Sequence, residues 1–261
     1  MKRIVLLTCM FMLMMVSLGY SQTEEGAYLN FDYLKVKAED YTEFEEFVQT
    51  QWKPLYENKI DKEKITGWYF YRVAYPGGQA ADYNYVLLTT FDELNTMVEV
   101  NGEMRKQIAD LEADIMQQTF DLATHQFSEL WKTEAGTMNN VEKAPGLYAV
   151  MNYMMVKPGK EAEYITLEND MARPLHEARI EQGEMYSWRT YSLLKPGGLD
   201  YQYNFATIDY YEELNDIEYG FTNELIKSVM PGTDINKMFE AIYATRDIVK
   251  SELWLLVDSF E

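Results

Sequence analysis

Residues 75–85 read YPGGQAADYNY, and residues 195–205 read KPGGLDYQYNF. The spacing is 120 residues, and it holds far beyond these two stretches. Aligning Tyr28 with Tyr148 carries without a gap to Met97 and Ile217, with 19 of 70 positions identical. Trp68 and Trp188, Tyr71 and Tyr191, and Asn84 and Asn204 are among the identities. Both copies later reach Ser-Glu-Leu-Trp, at 128–131 and 251–254. This is a duplication of one unit of about 110 residues, not a solenoid of short repeats.

Each unit carries one pattern. Residues 28–37 are rich in aromatic and aliphatic side chains and predict a strand. From 39 to 60, Tyr41, Phe44, Phe47, Val48, Leu55 and Ile60 recur at helical spacing. Residues 64–75 and 82–90 predict two further strands, joined by the Pro-Gly-Gly hairpin. Proline presets a turn dihedral and glycine accepts positive φ, so the duplicated PGG is first of all turn chemistry. A helical region follows from Phe91, and a last strand surrounds Leu130-Trp131. The order is β-α-β-β-α-β, a ferredoxin-like unit of the α+β class. Within 82–90 both strand faces are apolar, with Tyr83, Tyr85 and Leu87 on one and Val86 and Leu88 on the other. A sheet with one wet face alternates more cleanly. Helices cover one face, so the second copy is expected to cover the other, making a barrel inside one chain. Pro54 and Pro174 fall inside the first helix of each copy, where a kink or a fresh helical start is expected.

Composition sets the surroundings. Met1-Lys2-Arg3, then a run apolar from Ile4 to Leu18 apart from Thr8 and Ser17, then small residues, is the layout of a secretory signal peptide over 1–21. The run is short for a span of about 20 residues. The reading is therefore an exported, secreted or periplasmic protein with no membrane insertion after cleavage. The expected units are 22–134 and 147–261, with 135–146 as linker. Cys9, the only cysteine, lies in the leader, which removes disulfides and cysteine metal sites together. The net charge is −20, a surface that repels phosphate backbones, so no nucleic-acid partner is expected. No zinc pattern and no Gly-rich phosphate loop is present.

The stretch VKPGKEAEY at 156–164, followed by a helix, the Trp-bearing strand, the hairpin and YNFATIDYYEEL at 203–214, resembles the dimeric α/β-barrel superfamily. That group includes antibiotic-biosynthesis monooxygenase-like, EthD-like and NIPSNAP-like proteins. The resemblance covers nearly all of 27–257 and implies two ferredoxin-like units packed sheet to sheet, here fused in tandem. Some members bind haem through a histidine, and His125 lies roughly where such a ligand sits. Nothing else in the sequence supports haem, so the expectation is no cofactor and no metal.

Candidate ligand-binding residues are the repeated Trp68 and Trp188, Tyr71 and Tyr191, Asn84 and Asn204, together with His176. Each has a structural reading beside the functional one. The tryptophans anchor a core or wall a pocket. The asparagines bind backbone near the hairpin, or aim a donor at a bound carbonyl or oxyanion. His176 aligns with Tyr56, and His176 is expected to titrate near neutral pH. Three functions remain open. The main reading is binding of a small apolar or aromatic molecule in sheet–helix clefts. The alternative is a cofactor-independent monooxygenase or isomerase, as the resemblance allows. A structural module without ligand is the third. Whether the chain is an enzyme is left open by its residues.

Overall fold

The computed structural model describes residues 27–60, 64–78, 81–110, 113–138, 147–198 and 200–260. The leader expected over 1–21 lies outside them. Among the described residues, no helix is long and apolar enough to cross a membrane.

The first unit runs β1 (Tyr28–Val36), α1 (Tyr41–Phe47), α2 (Lys53–Ile60), β2 (Gly67–Tyr75), β3 (Tyr85–Phe91), α3 (Leu94–Ala109), α4 (Ala113–Leu122) and β4 (Ala123–Met138). The second runs β5 (Tyr148–Val156), α5 (Glu161–Leu167), α6 (Arg173–Glu181), β6 (Ser187–Lys195), β7 (Phe205–Tyr211), α7 (Asn223–Val229), α8 (Ile235–Thr245) and β8 (Arg246–Phe260). The eight strands close into one antiparallel barrel in the order β1-β3-β2-β8-β5-β7-β6-β4. The α+β barrel of two ferredoxin-like units is therefore present, with helices outside and the two sheets facing each other.

Closure depends on the last strand of each unit. β4 pairs with β1 of its own unit and then, over Leu130–Met138, with β6 of the other. β8 repeats this with β5 and β2. Residues 135–138, expected in the linker, are thus strand, because their backbone groups find partners on β6. The duplicated hairpins turn as their composition demands, with Gly78 at φ 90° and Gly198 at φ 135°.

Plain alternation along β1 puts Leu29, Phe31 and Tyr33 in the barrel interior and Leu34 and Val36 against the helices. The β1–β4 ladder shifts register between Tyr33 and Leu34, and the β5–β8 ladder between Tyr153 and Met154, because β4 and β8 each carry one extra residue there, Gln126 and Val249.

The interior is aromatic, and at its centre two buried acids exchange partners across the pseudo-twofold axis. Tyr33 and Tyr153, equivalent residues, meet at 3.2 Å between hydroxyl oxygens. Glu129, in the first Ser-Glu-Leu-Trp, accepts from Trp131 at 3.0 Å, Tyr33 at 2.7 Å, and from Tyr203 of the second unit at 2.6 Å. Its counterpart Glu252 accepts from Trp254 at 3.0 Å and from Tyr83 of the first unit at 2.7 Å. The remaining acceptor capacity is met differently in the two halves. Tyr201 donates to Glu129, whereas Lys250 donates to Glu252 at 3.0 Å and lies 4.1 Å from the Tyr153 ring centroid. A buried carboxylate needs this many donors to offset lost hydration.

Candidate functional site

Each unit has a space between its sheet and its first helical stretch, and Pro54 or Pro174 shapes it. Proline has no N–H to give the carbonyl four residues back, so the chain takes one wider turn before restarting. These π turns are Val48–Trp52 and Glu168–Ala172. Their bonds run from Lys53 N to Val48 O, and from Arg173 N to Glu168 O. The kink or fresh start expected from the prolines is there in both copies.

The turns then present different side chains. In the first unit Trp52 packs edge-on against Phe44 at 5.9 Å and Phe47 at 6.0 Å. Val48, Leu87 and Phe91 fill the rest, and Trp68 lies between Tyr56 at 5.8 Å and Phe260 at 5.1 Å. In the second unit the aligned positions hold Glu168 for Val48, Ala172 for Trp52, His176 for Tyr56, Thr207 for Leu87 and Asp209 for Thr89. Losing one indole and several methyl groups leaves a cavity of about 310 Å³. Its wall includes those five residues with Trp188, Arg179, Tyr211 and Arg246. A volume of this order suits a small molecule.

Within the cleft the His176 ring stacks on Trp188 at 4.7 Å and meets Phe221 at 4.9 Å. Burial, with the Arg179 charge beside it, holds the imidazole well below its ordinary range, so it is neutral at physiological pH. The expectation that His176 titrates near neutral pH is corrected by this burial. Asp209 is the group that titrates there. Burial pushes it up to about 7, against the pull of Arg179 and with the help of Glu168. Burial also raises Glu168. Arg179 donates to the Tyr219 carbonyl and, at 3.4 Å, to the Tyr211 hydroxyl.

Of the residues singled out from sequence, the cleft gathers His176 and Trp188. Trp68 sits in the packed layer of the first unit. Tyr71 and Tyr191 point into the barrel interior, away from either helix layer. Asn84 and Asn204 tie strand ends together. Asn84 Oδ1 accepts from Val36 N at 2.8 Å while its Nδ2 donates to Val36 O at 2.7 Å and to Tyr41 Oη at 2.8 Å. Asn204 repeats the pair with Val156, at 2.7 and 2.9 Å. Glu168, Arg179, Asp209 and Arg246 were not singled out. The signal for Glu168 and Asp209 was present, as acids standing where the first copy has Val48 and Thr89.

No protein-family model matches the chain, and no curated protein matches it by sequence. Its fold is that of the dimeric α/β-barrel proteins, with both halves in one chain. A protein from Lactobacillus acidophilus, provisionally assigned as a monooxygenase, superposes with a TM-score of 0.56 at 12% identity, covering 90% of this chain and 96% of that one. One from Fusobacterium nucleatum, with the same assignment, gives 0.57 at 10% identity, covering 90% and 94%. A heme-binding protein from Thermus thermophilus gives 0.50 at 10% identity, covering 92% and 94%. This last likeness corrects the expectation of no cofactor, because a protein of this shape carries haem. His125, where the resemblance set a haem ligand, does not line the second-unit cleft. It is half exposed on β4, bonded to Ser128 at 2.9 Å and 3.4 Å from Asp32, outside the cleft.

Proposed function

We propose that the chain is an exported enzyme of the monooxygenase type that takes a small apolar or aromatic molecule into the second-unit cleft. The observation that supports it is the contrast between the two layers. One duplicated space is filled with indole and aliphatic groups, and the other is emptied and lined with a neutral imidazole, two carboxyls and two guanidinium groups. Burying that many polar groups costs stability unless they are hydrogen-bonded or paired, which a polar ligand can supply. Trp188, Phe221 and the His176 ring packed against both form an aromatic wall that suits an aromatic body. The two acids suit proton transfer, since Asp209 exchanges its proton near neutral pH.

Haem fits the donor chemistry of this cleft. Haem iron takes histidine, methionine, tyrosine or cysteine as axial ligand. His176 lines the cavity, and its neutral state is the one in which a ring nitrogen ligates. When bound, haem supplies a redox-active iron for oxygen chemistry. The chain's own part is to hold the group through His176, to position the substrate, and to accept or return protons at Asp209.

The test is a substitution that restores the first unit's filling to the second. Ala172→Trp is expected to abolish binding of naphthalene-type probes and of hemin, measured by tryptophan fluorescence and by the haem absorbance band. His176→Ala is expected to remove the haem band while keeping probe binding. Unchanged binding of both in Ala172→Trp would sink the assignment to this cleft.

A further inference from the structure

Three nitrogens in the cleft wall are buried and find no acceptor among the described residues: Arg179 Nε, Arg246 Nε and His176 Nδ1. All three residues line the same cavity. Arg179 is 2% exposed, and an arginine stays charged even there. A buried guanidinium short of acceptors is costly, and the usual remedy is a carboxylate presenting two oxygens to its fork. The cleft does contain acids, and the charges of Arg179 and Arg246 pull on Asp209 and Glu168 respectively, but burial outweighs that pull. Neither Glu168 nor Asp209 lies within ion-pair distance of either arginine among the contacts of the described residues. Burial moves both toward the protonated form. Asp209 is further occupied by the Asn152 amide at 3.5 Å.

We infer that the occupant of the second-unit cleft carries a carboxylate, and that Arg179 and Arg246 are the residues that select for it. The inference rests on the reading of this cleft as the binding site. The first unit explains why the selection is confined to one half. Lys59, aligned with Arg179, is already paired with Glu103 at 2.7 Å. Among the described residues Arg179 has no such carboxylate partner, and it donates to the Tyr219 carbonyl and, at 3.4 Å, to the Tyr211 hydroxyl. The carboxylate can belong to an organic acid with an apolar body, or to the propionate groups of haem. Both present the same planar anion, and the two sources separate by experiment.

Calorimetric titration of the full chain compares 2-naphthoate with 2-naphthamide, and hemin with hemin dimethyl ester. The expected result is at least tenfold tighter binding of the acid in one or both pairs. Preference in the naphthalene pair assigns an organic acid, and preference in the hemin pair alone assigns haem. Arg246→Gln should bring the members of the preferred pair within about twofold of each other. That change corresponds to a loss of roughly 1 kcal/mol. Arg179→Gln serves as the second variant, and Arg246→Lys, which keeps the charge but not the fork, should recover part of the preference. Melting curves establish that each variant is folded. Equal binding of acid and neutral partner by the wild type overturns the inference and leaves the cleft reading standing. A preference that survives in both glutamine variants also overturns it. If no probe binds the wild type, the cleft reading fails and this inference fails with it.

Discussion

The two helix layers began from one sequence pattern and now differ in kind. Around Trp68 the first is a packed aromatic core with Trp52 wedged into the π turn. Around Trp188 the second is a cavity lined by charge. Backbone accounts for little of this, because prolines, π turns and strand order are the same on both sides. Five side-chain exchanges account for most of it, with Ala172 in place of Trp52 contributing the most volume. A second difference lies in the covering segment. The first unit has the unbroken α3 of 16 residues, whereas the second breaks at Gly220 and brings Phe221 over the cleft instead. A duplicated fold can thus keep one layer packed and open a cavity in the other.

The comparison sharpens first at the two tryptophans. Trp68→Ala is expected to cost about 3–5 kcal/mol, because its ring is enclosed on every side. Trp188→Ala should cost about 1–2 kcal/mol less, since one of its walls is already open. Denaturant melts decide this, and equal losses would mean that the second layer is as full as the first.

Next comes Asp209, whose first-unit counterpart Thr89 cannot titrate. Its folded pKa of about 7 stands above the ordinary 3.8. The folded state therefore holds the proton more tightly, and stability falls as pH rises from about 4 to about 7. Asp209→Asn should remove about 2–4 kcal/mol of that fall. Stability profiles for wild type and variant that run parallel across this window would show that Asp209 is not held protonated by burial.

The smallest effect is expected at His125. It is exposed beside Asp32, which raises its pKa through their hydrogen bond. His125→Ala should change stability by less than about 0.5 kcal/mol and leave probe and hemin binding untouched. Loss of haem absorbance in this variant would return the ligand role to the first unit.

Much of the fold was legible because its determinants are local and said twice. The PGG turns, the apolar alternation and the proline position each specify an element without reference to the rest of the chain. The lengths of β4 and β8 were not legible, because their outer halves are held by strands of the other unit, and no short-range pattern records that pairing. For the site, His176 and Trp188 stood out as an unusual residue and a repeated one. Arg179 and Asp209 did not, because on a helix and a strand taken singly they read as solvated charge. Only their direction makes them cleft residues: Asp209 takes the helix-facing side of β7, between the interior Ile208 and Tyr210, and Arg179 faces it from α6. Tyr71 and Tyr191 misled for the matching reason: in a strand with two apolar faces, composition does not say which face is the interior.

The exchange of partners between Glu129 and Glu252 bears on how such a chain can change over generations. Each acid draws a tyrosine donor from the opposite half. Replacing Tyr203 by phenylalanine, a change in the second copy, would strip a donor from a carboxylate in the first. Inheritance therefore treats the barrel interior as one indivisible character, where an alteration in either copy must be answered in its twin. The outer layers borrow across the seam too, Phe260 of the second copy stacking on Trp68 and Asp258 pairing with Lys53, but the five exchanged side chains of the second cleft all belong to one copy. There a copy is free to drift alone, and a duplicated ancestor gains a spare surface on which to try a new chemistry while its twin goes on holding the molecule together.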